Sequence, residues 1–180
     1  MPLRTVFGIV AAEMEFIPRY FGDRLTIINP LGSIGVVTLW SRVEYVKERF
    51  RQAGVDLEAA TSPVAVFGTL YGNGLREMLR NLLYNPQIQV LLLCGHDRSG
   101  SREELLNFFE MGLEPVAGSL VQYRSPEPGV QVAAARIINT RRLLDDMVRP
   151  EFFINAPQLV WLGDPQKEAT VSAIKEFFST

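Results

Sequence analysis

The chain has 180 residues, of which 47% are hydrophobic and 21% charged, the make-up of one globular domain with a proper core rather than of a disordered chain. Its 18 Lys and Arg against 20 Asp and Glu leave a net charge of -2, which argues against a dedicated nucleic-acid partner; the nearest basic cluster is only Arg141-Arg142. No apolar run approaches the roughly eighteen residues needed to span a bilayer, and Met1-Pro2-Leu3-Arg4 has no signal-peptide profile, so a cytoplasmic protein with no membrane partner is expected.

The first strand is expected at Val6 to Val10, followed by a stretch, Glu13 to Pro30, that fits no repeat. From Ile34 onward, short β-branched apolar runs alternate with helix-period segments, giving five units. The first is a strand at Ile34 to Leu39 with a helix opened by a Ser41/Glu44 capping box and ended by Gly54. The second joins Val64 to Phe67, through Gly68-Thr69-Leu70-Tyr71-Gly72-Asn73-Gly74, to a helix with Leu75, Met78, Leu79, Leu82 and Leu83 on one face, stopped at Asn85-Pro86.

The third unit is a fully apolar strand, Val90 to Leu93, then Cys94-Gly95-His96-Asp97-Arg98-Ser99-Gly100 and a helix capped by Ser101 and Glu104 and closed by Gly112. Tyr123 to Gly129 reads as a surface loop or hairpin. The fourth unit runs from Val130 to Ile138 into a helix after Thr140, and the fifth from Leu159 to Leu162 into a terminal helix, Lys167 to Phe178, entered through Asp164-Pro165.

This alternation implies a Rossmann-like α/β domain over residues 1–180: a doubly wound, mostly parallel sheet with helices on both faces, complete in itself or the N-terminal piece of a longer enzyme. In such sheets a ligand lies beyond the carboxyl ends of the strands. The loops there hold the candidate binding residues: Thr38, Trp40 and Ser41; Gly68, Thr69, Gly72, Asn73 and Gly74; Cys94, Gly95, Ser99, Gly100 and Ser101. Free amides at the helix starts favour an anionic or carbonyl group, Gly95 and Gly100 admit close approach to the backbone, and Trp40 with Tyr71 can stack on a flat heterocycle.

His96, the lone histidine, could serve as acid, base or hydrogen-bond donor, with Asp97 as its partner; these are the candidate catalytic residues. Cys94 reads as a small buried hydrophobe rather than a nucleophile. One Cys and one His exclude an internal disulfide and a Cys/His zinc cluster, and no metal site is expected. The glycine loop before Leu75 lacks the Lys-Ser/Thr ending of a P-loop and the spacing of a dinucleotide fingerprint.

Asn29-Pro30 with Ile34-Gly35-Val36-Val37-Thr38-Leu39-Trp40-Ser41, then Phe67-Gly68-Thr69-Leu70 before a helix with Asn81 and Asn85-Pro86, then Leu93 to Ser101, resembles the corrinoid-carrying subunit of tetrahydromethanopterin S-methyltransferase. It also resembles the related domain found beside pterin-binding or thymidylate-synthase-like domains. The resemblance covers Leu25 to Gly112 and implies a Rossmann-like fold, a role in one-carbon metabolism, and a corrinoid or a reduced pterin or folate as cofactor. Where the corrinoid-binding members carry Gly-His, the histidine being the expected lower cobalt ligand, this chain carries Gly100-Ser101. The glycines and serines suit the synthase-associated branch. Synthase chemistry itself needs a cysteine flanked by proline and histidine, which Cys94 is not.

Three readings follow. The first is a ligand-binding module holding a pterin, nucleotide or corrinoid, with a thymidylate-synthase-like or pterin-binding domain as partner. The second is a methyl- or hydroxymethyl-transferase in its own right, using His96 and Asp97. The third is an assembly domain that docks a catalytic partner through Phe152, Phe153 and Trp161.

Overall fold

A computed structural model describes residues 14–122 and 131–180 of the chain. The expected strand at Val6 to Val10 and the Tyr123 to Gly129 loop lie outside the described residues. In chain order the elements are β1 (Thr26–Ile27), β2 (Ile34–Leu39), α1 (Val43–Gln52), β3 (Val64–Gly68), α2 (Leu75–Leu83), β4 (Val90–His96) and α3 (Ser101–Met111). They continue with β5 (Leu113–Gln122), β6 (Gln131–Ile137), β7 (Leu143–Asp145), β8 (Gln158–Gly163) and α4 (Glu168–Ser179).

The main sheet has the order β1-β3-β2-β4-β8. Its β3, β2, β4 and β8 run parallel, while the two-residue β1, from the stretch that fitted no repeat, pairs antiparallel with β3 along the edge. Central strands of a parallel sheet are covered on both faces, which is why β2 and β4 read as unbroken apolar runs. Alternate residues serve the two faces. Val37, Leu91 and Leu93 pack with Leu75, Leu79 and Leu82 of α2 and Leu105 and Phe108 of α3. Val36, Leu92 and Cys94 pack on the other side with Val46 and Phe50 of α1 and Ile174 of α4. Each such fully buried side chain contributes about 1.5–3 kcal/mol.

The fourth expected unit takes a different form. β6 belongs to a second, antiparallel sheet, β5-β6-β7, and a strand, not a helix, follows Thr140. The cause is local: Asn139 adopts a left-handed φ of 63°, and the Thr140 hydroxyl donates to Ile137 O while accepting from Arg142 N. Thr140 therefore closes a turn instead of capping a helix, and Ile137 N donates to Arg142 O across it. The hairpin leans on α2 through a buried ion pair, Arg80 Nη2 to Asp145 Oδ2 at 2.8 Å. Among the described residues no helix is long and apolar enough to cross a membrane.

Neither capping box forms. Ser41 Oγ accepts from His96 N and Glu44 pairs with Lys47, so α1 starts without a side-chain cap. At α3 the Asp97 carboxylate does the capping, accepting from Ser101 N at 3.1 Å and Arg102 N at 3.2 Å, while Glu104 turns to Arg142.

Candidate functional site

The loops after β2, β3 and β4 meet at the carboxyl edge of the sheet. β2 ends at Leu39, fully buried with a left-handed φ of 51°, a costly conformation for a bulky residue that turns the chain sharply outward. Trp40 N then donates to His96 O and Leu70 N to Leu39 O, which ties the three loops together. β2 also lies where the chain changes direction across the sheet, since β3 follows on one side of it and β4 on the other. Ligands of open α/β sheets bind at such a switch point.

A cavity of about 590 Å³ opens there, bounded by the sheet, α2 and the segment 16–25. Its floor is apolar, with Val37, Leu82, Ile88 and Leu91. Its mouth carries Trp40 and Tyr71, whose rings lie 4.9 Å apart and tilted by 57°, both well exposed. Trp40 Nε1 donates to Ser99 Oγ, which shares a 2.8 Å hydrogen bond with Ser101 Oγ.

The outer wall is held by two asparagines of one helical stripe. Asn81 Oδ1 accepts from Arg19 N at 2.7 Å and Tyr20 N at 3.0 Å, and Asn81 Nδ2 donates to Tyr20 O at 3.0 Å. One turn later Asn85 repeats the grip on Ile17 N and O, both at 2.9 Å. Gly68 lets this wall close in, because a Cβ there would lie 2.7 Å from Leu25 Cδ2. One turn before Asn81, Glu77 lines the cavity at 1% exposure, and neither of its carboxylate oxygens has a hydrogen-bond partner.

Arg142, from the β6-β7 turn, closes one side of the mouth. Its Nε donates to Glu104 Oε2 and its Nη1 to Asn73 Oδ1, both at 3.0 Å, and it lies across Gly72, where a Cβ would come within 2.9 Å of Nη2. Burial raises the Glu104 carboxyl above its ordinary range, and the Arg142 contact only partly offsets this. The Arg142 guanidinium favours an anionic group at the mouth, whereas the amides of Gly74 and Leu75 that lead into α2 are already taken by Tyr71 O and Gly72 O.

Of the residues marked in the sequence, Trp40, Gly68, Thr69, Tyr71, Gly72, Asn73, Gly74 and Ser99 line this cavity. The others do not. Thr38 is fully buried, its hydroxyl donating to Ser41 O; Cys94 packs on the opposite face, its thiol pushed up to about 12 by burial and by the Asp164 charge. At Gly95 the close approach is made by the chain itself, since a Cβ would overlap the Thr38 carbonyl oxygen. Gly100 faces open space with a φ of 75°, serving the turn before α3.

The expected pairing of His96 with Asp97 is corrected: Asp97 is occupied as the cap of α3, and His96 Nδ1 instead lies 3.0 Å from Asp164 Oδ2. Nor does Ser101, where a resemblance to corrinoid-carrying proteins would call for the lower cobalt ligand, fit that role. Ser101 is fully buried, and its hydroxyl is bonded to Ser99 rather than free to meet a metal.

Sequence reasoning missed Glu77, Met78, Arg24 and Arg142 as cavity residues. Glu77 had a legible signal, because Glu77, Asn81 and Asn85 recur every fourth residue beside the apolar face of α2. Arg142 had none, since its approach depends on the second sheet. Comparison with family models, with curated proteins and with solved structures finds no match for this chain.

Proposed function

We propose that this chain is a small-molecule-binding module of one-carbon metabolism that holds a planar nitrogen heterocycle with an anionic tail, of the reduced pterin, folate or nucleotide class. The observation that carries this reading is the cavity of about 590 Å³ at the switch point of the sheet, apolar at its floor and aromatic and cationic at its mouth. Trp40 and Tyr71 offer faces for a ring, and Arg142 suits a phosphate or carboxylate tail. The motif resemblance supplies the metabolic setting and suggests a thymidylate-synthase-like or pterin-binding domain as partner. The exposed His96-Asp164 pair stands apart from the cavity lining, which favours binding over catalysis by this chain alone.

The test is a thermal-shift panel with tetrahydrofolate, pterin, guanosine and deoxyuridine monophosphates, and hydroxocobalamin. A ligand at about 100 times its Kd adds roughly 2.7 kcal/mol, hence a few degrees in Tm for a domain of this size. A shift that disappears in Gly74→Phe supports the reading. Gly74 lines the cavity with an ordinary φ of -78° and only Leu70 Cδ1, 4.0 Å away, near its missing Cβ, so the larger side chain fills the cavity without backbone strain. No shift with any heterocycle, or a shift unchanged in Gly74→Phe, overturns it.

A further inference from the structure

The charged residues that line the cavity are Arg24, Glu77 and Arg142. Glu77 does not meet the cavity space, since it is 1% exposed and both of its oxygens are buried, so the charge within a ligand's reach is cationic. That sign runs against the chain as a whole, whose net charge is -2. Arg142 is pinned to Glu104 and Asn73 through Nε and Nη1, which leaves Nη2 beside Gly72 with no hydrogen-bond partner among the described residues. Arg24, from the outer wall, is exposed and its guanidinium lies 5.2 Å from the ring of Phe21, another lining residue. A third guanidinium, that of the exposed Arg98, stands 6.0 Å from the Trp40 ring at the rim. Among the described residues neither Arg24 nor Arg98 forms an ion pair, and Asp97, next to Arg98 in the chain, is turned to the amides of α3.

We infer that the mouth of this cavity is a receptor for a phosphate monoester, so that the ligand is a phosphorylated heterocycle, a nucleotide or a pterin phosphate, rather than one with a carboxylate tail. The inference rests on the binding reading above and narrows its ligand class. The guanidiniums of Arg24, Arg98 and Arg142 share a single carboxylate partner, Glu104, which leaves two positive charges to be balanced around one opening. A phosphate monoester carries about 1.5–2 negative charges on one group, with three oxygens that can accept from different loops; a carboxylate carries one charge on two oxygens. Guanidinium suits phosphate because its planar donors stay charged at any working pH and are more weakly hydrated than an ammonium. Arg142 is the fixed point: its bonds to Glu104 and Asn73 are made before a ligand arrives, so little side-chain freedom is lost on binding. Arg24 and Arg98 supply the remaining charge.

The experiment compares, by calorimetry on the whole chain, guanosine with guanosine monophosphate, deoxyuridine with deoxyuridine monophosphate, and hydroxymethylpterin with its phosphate ester, with tetrahydrofolate as the carboxylate-tailed probe. Within each pair only the phosphate differs. The expected result is at least about 30-fold tighter binding of the phosphorylated member in one pair or more, tighter also than tetrahydrofolate, and the tightest pair identifies the ring. That gap narrows as salt is raised, and it shrinks at least about tenfold in the double variant Arg24→Gln/Arg98→Gln. Both side chains are exposed and unpaired, so the Tm of the ligand-free variant stays level with the wild type. Equal affinities within every pair, a gap that survives the double variant, or tetrahydrofolate as the tightest ligand overturns the inference while leaving the binding module standing. Failure of all these compounds removes both.

Discussion

His96 Nδ1 and Asp164 Oδ2 lie 3.0 Å apart and join the ends of β4 and β8 across 68 positions of sequence. Burial pushes the Asp164 carboxyl up, but hydrogen bonds from Gln166 N and His96 and the charges of His96 and Lys167 outweigh it and hold the group below its ordinary value of 3.8. A carboxyl with a lowered folded-state pKa contributes stability that is fully present above the unfolded value and lost as pH falls through the folded one. Urea midpoints measured from pH 5 downward should therefore drop more steeply for the wild type than for Asp164→Asn. Parallel curves would show that the pair contributes nothing.

Asp97 is a helix cap in this structure, and Asp97→Ala should cost about 1 kcal/mol through loss of its bonds to Ser101 N and Arg102 N. Asp97→Asn should retain most of that. Thermal melts of the two variants check it, and equal losses in both would point to the charge rather than the cap.

The glycines at positions 95 and 100 separate by kind. Gly95→Ala should destabilise by about 3 kcal/mol, because the new methyl meets the Thr38 carbonyl and β2 and β4 must part. Gly100→Ala has open space around it and should cost only about 1 kcal/mol, the penalty of a left-handed φ. Guanidinium unfolding distinguishes them, and similar losses would contradict the strand contact.

Removing the grip on the cavity wall should loosen that wall alone. Asn81→Ala deletes three hydrogen bonds to Arg19 and Tyr20, worth about 1 kcal/mol each. Trypsin should cut faster after Arg19 and Arg24 than in the wild type, with cleavage elsewhere little changed. Uniformly faster digestion would mean global unfolding instead.

Much of this architecture could be read from periodicity, because β2, β3, β4 and β8 are short apolar runs and their helices carry one apolar face each. The hairpin of β6 and β7 could not. Leu143 and Leu144 resemble a helix start until Asn139 is seen to turn the chain back. At the site, the glycines and aromatics of the rim were legible as loop chemistry, but adjacency misled at His96 and Asp97: neighbouring side chains at a strand end diverge, and each found its partner elsewhere. The capping boxes failed for a related reason, since tertiary partners displaced local ones at Ser41 and Glu104, and Glu44 turned to Lys47.

The asparagine grip has an evolutionary corollary. Asn81 and Asn85 hold only main-chain atoms of Ile17, Arg19 and Tyr20, so the grip is blind to what those residues are. The stretch facing the cavity is thus an exchangeable cassette: its side chains can drift, and with them the preference for one ring over another, while the helix that anchors it stays the same. The cavity-lining side chains of Tyr20, Phe21 and Arg24 can therefore change without loosening the wall from α2.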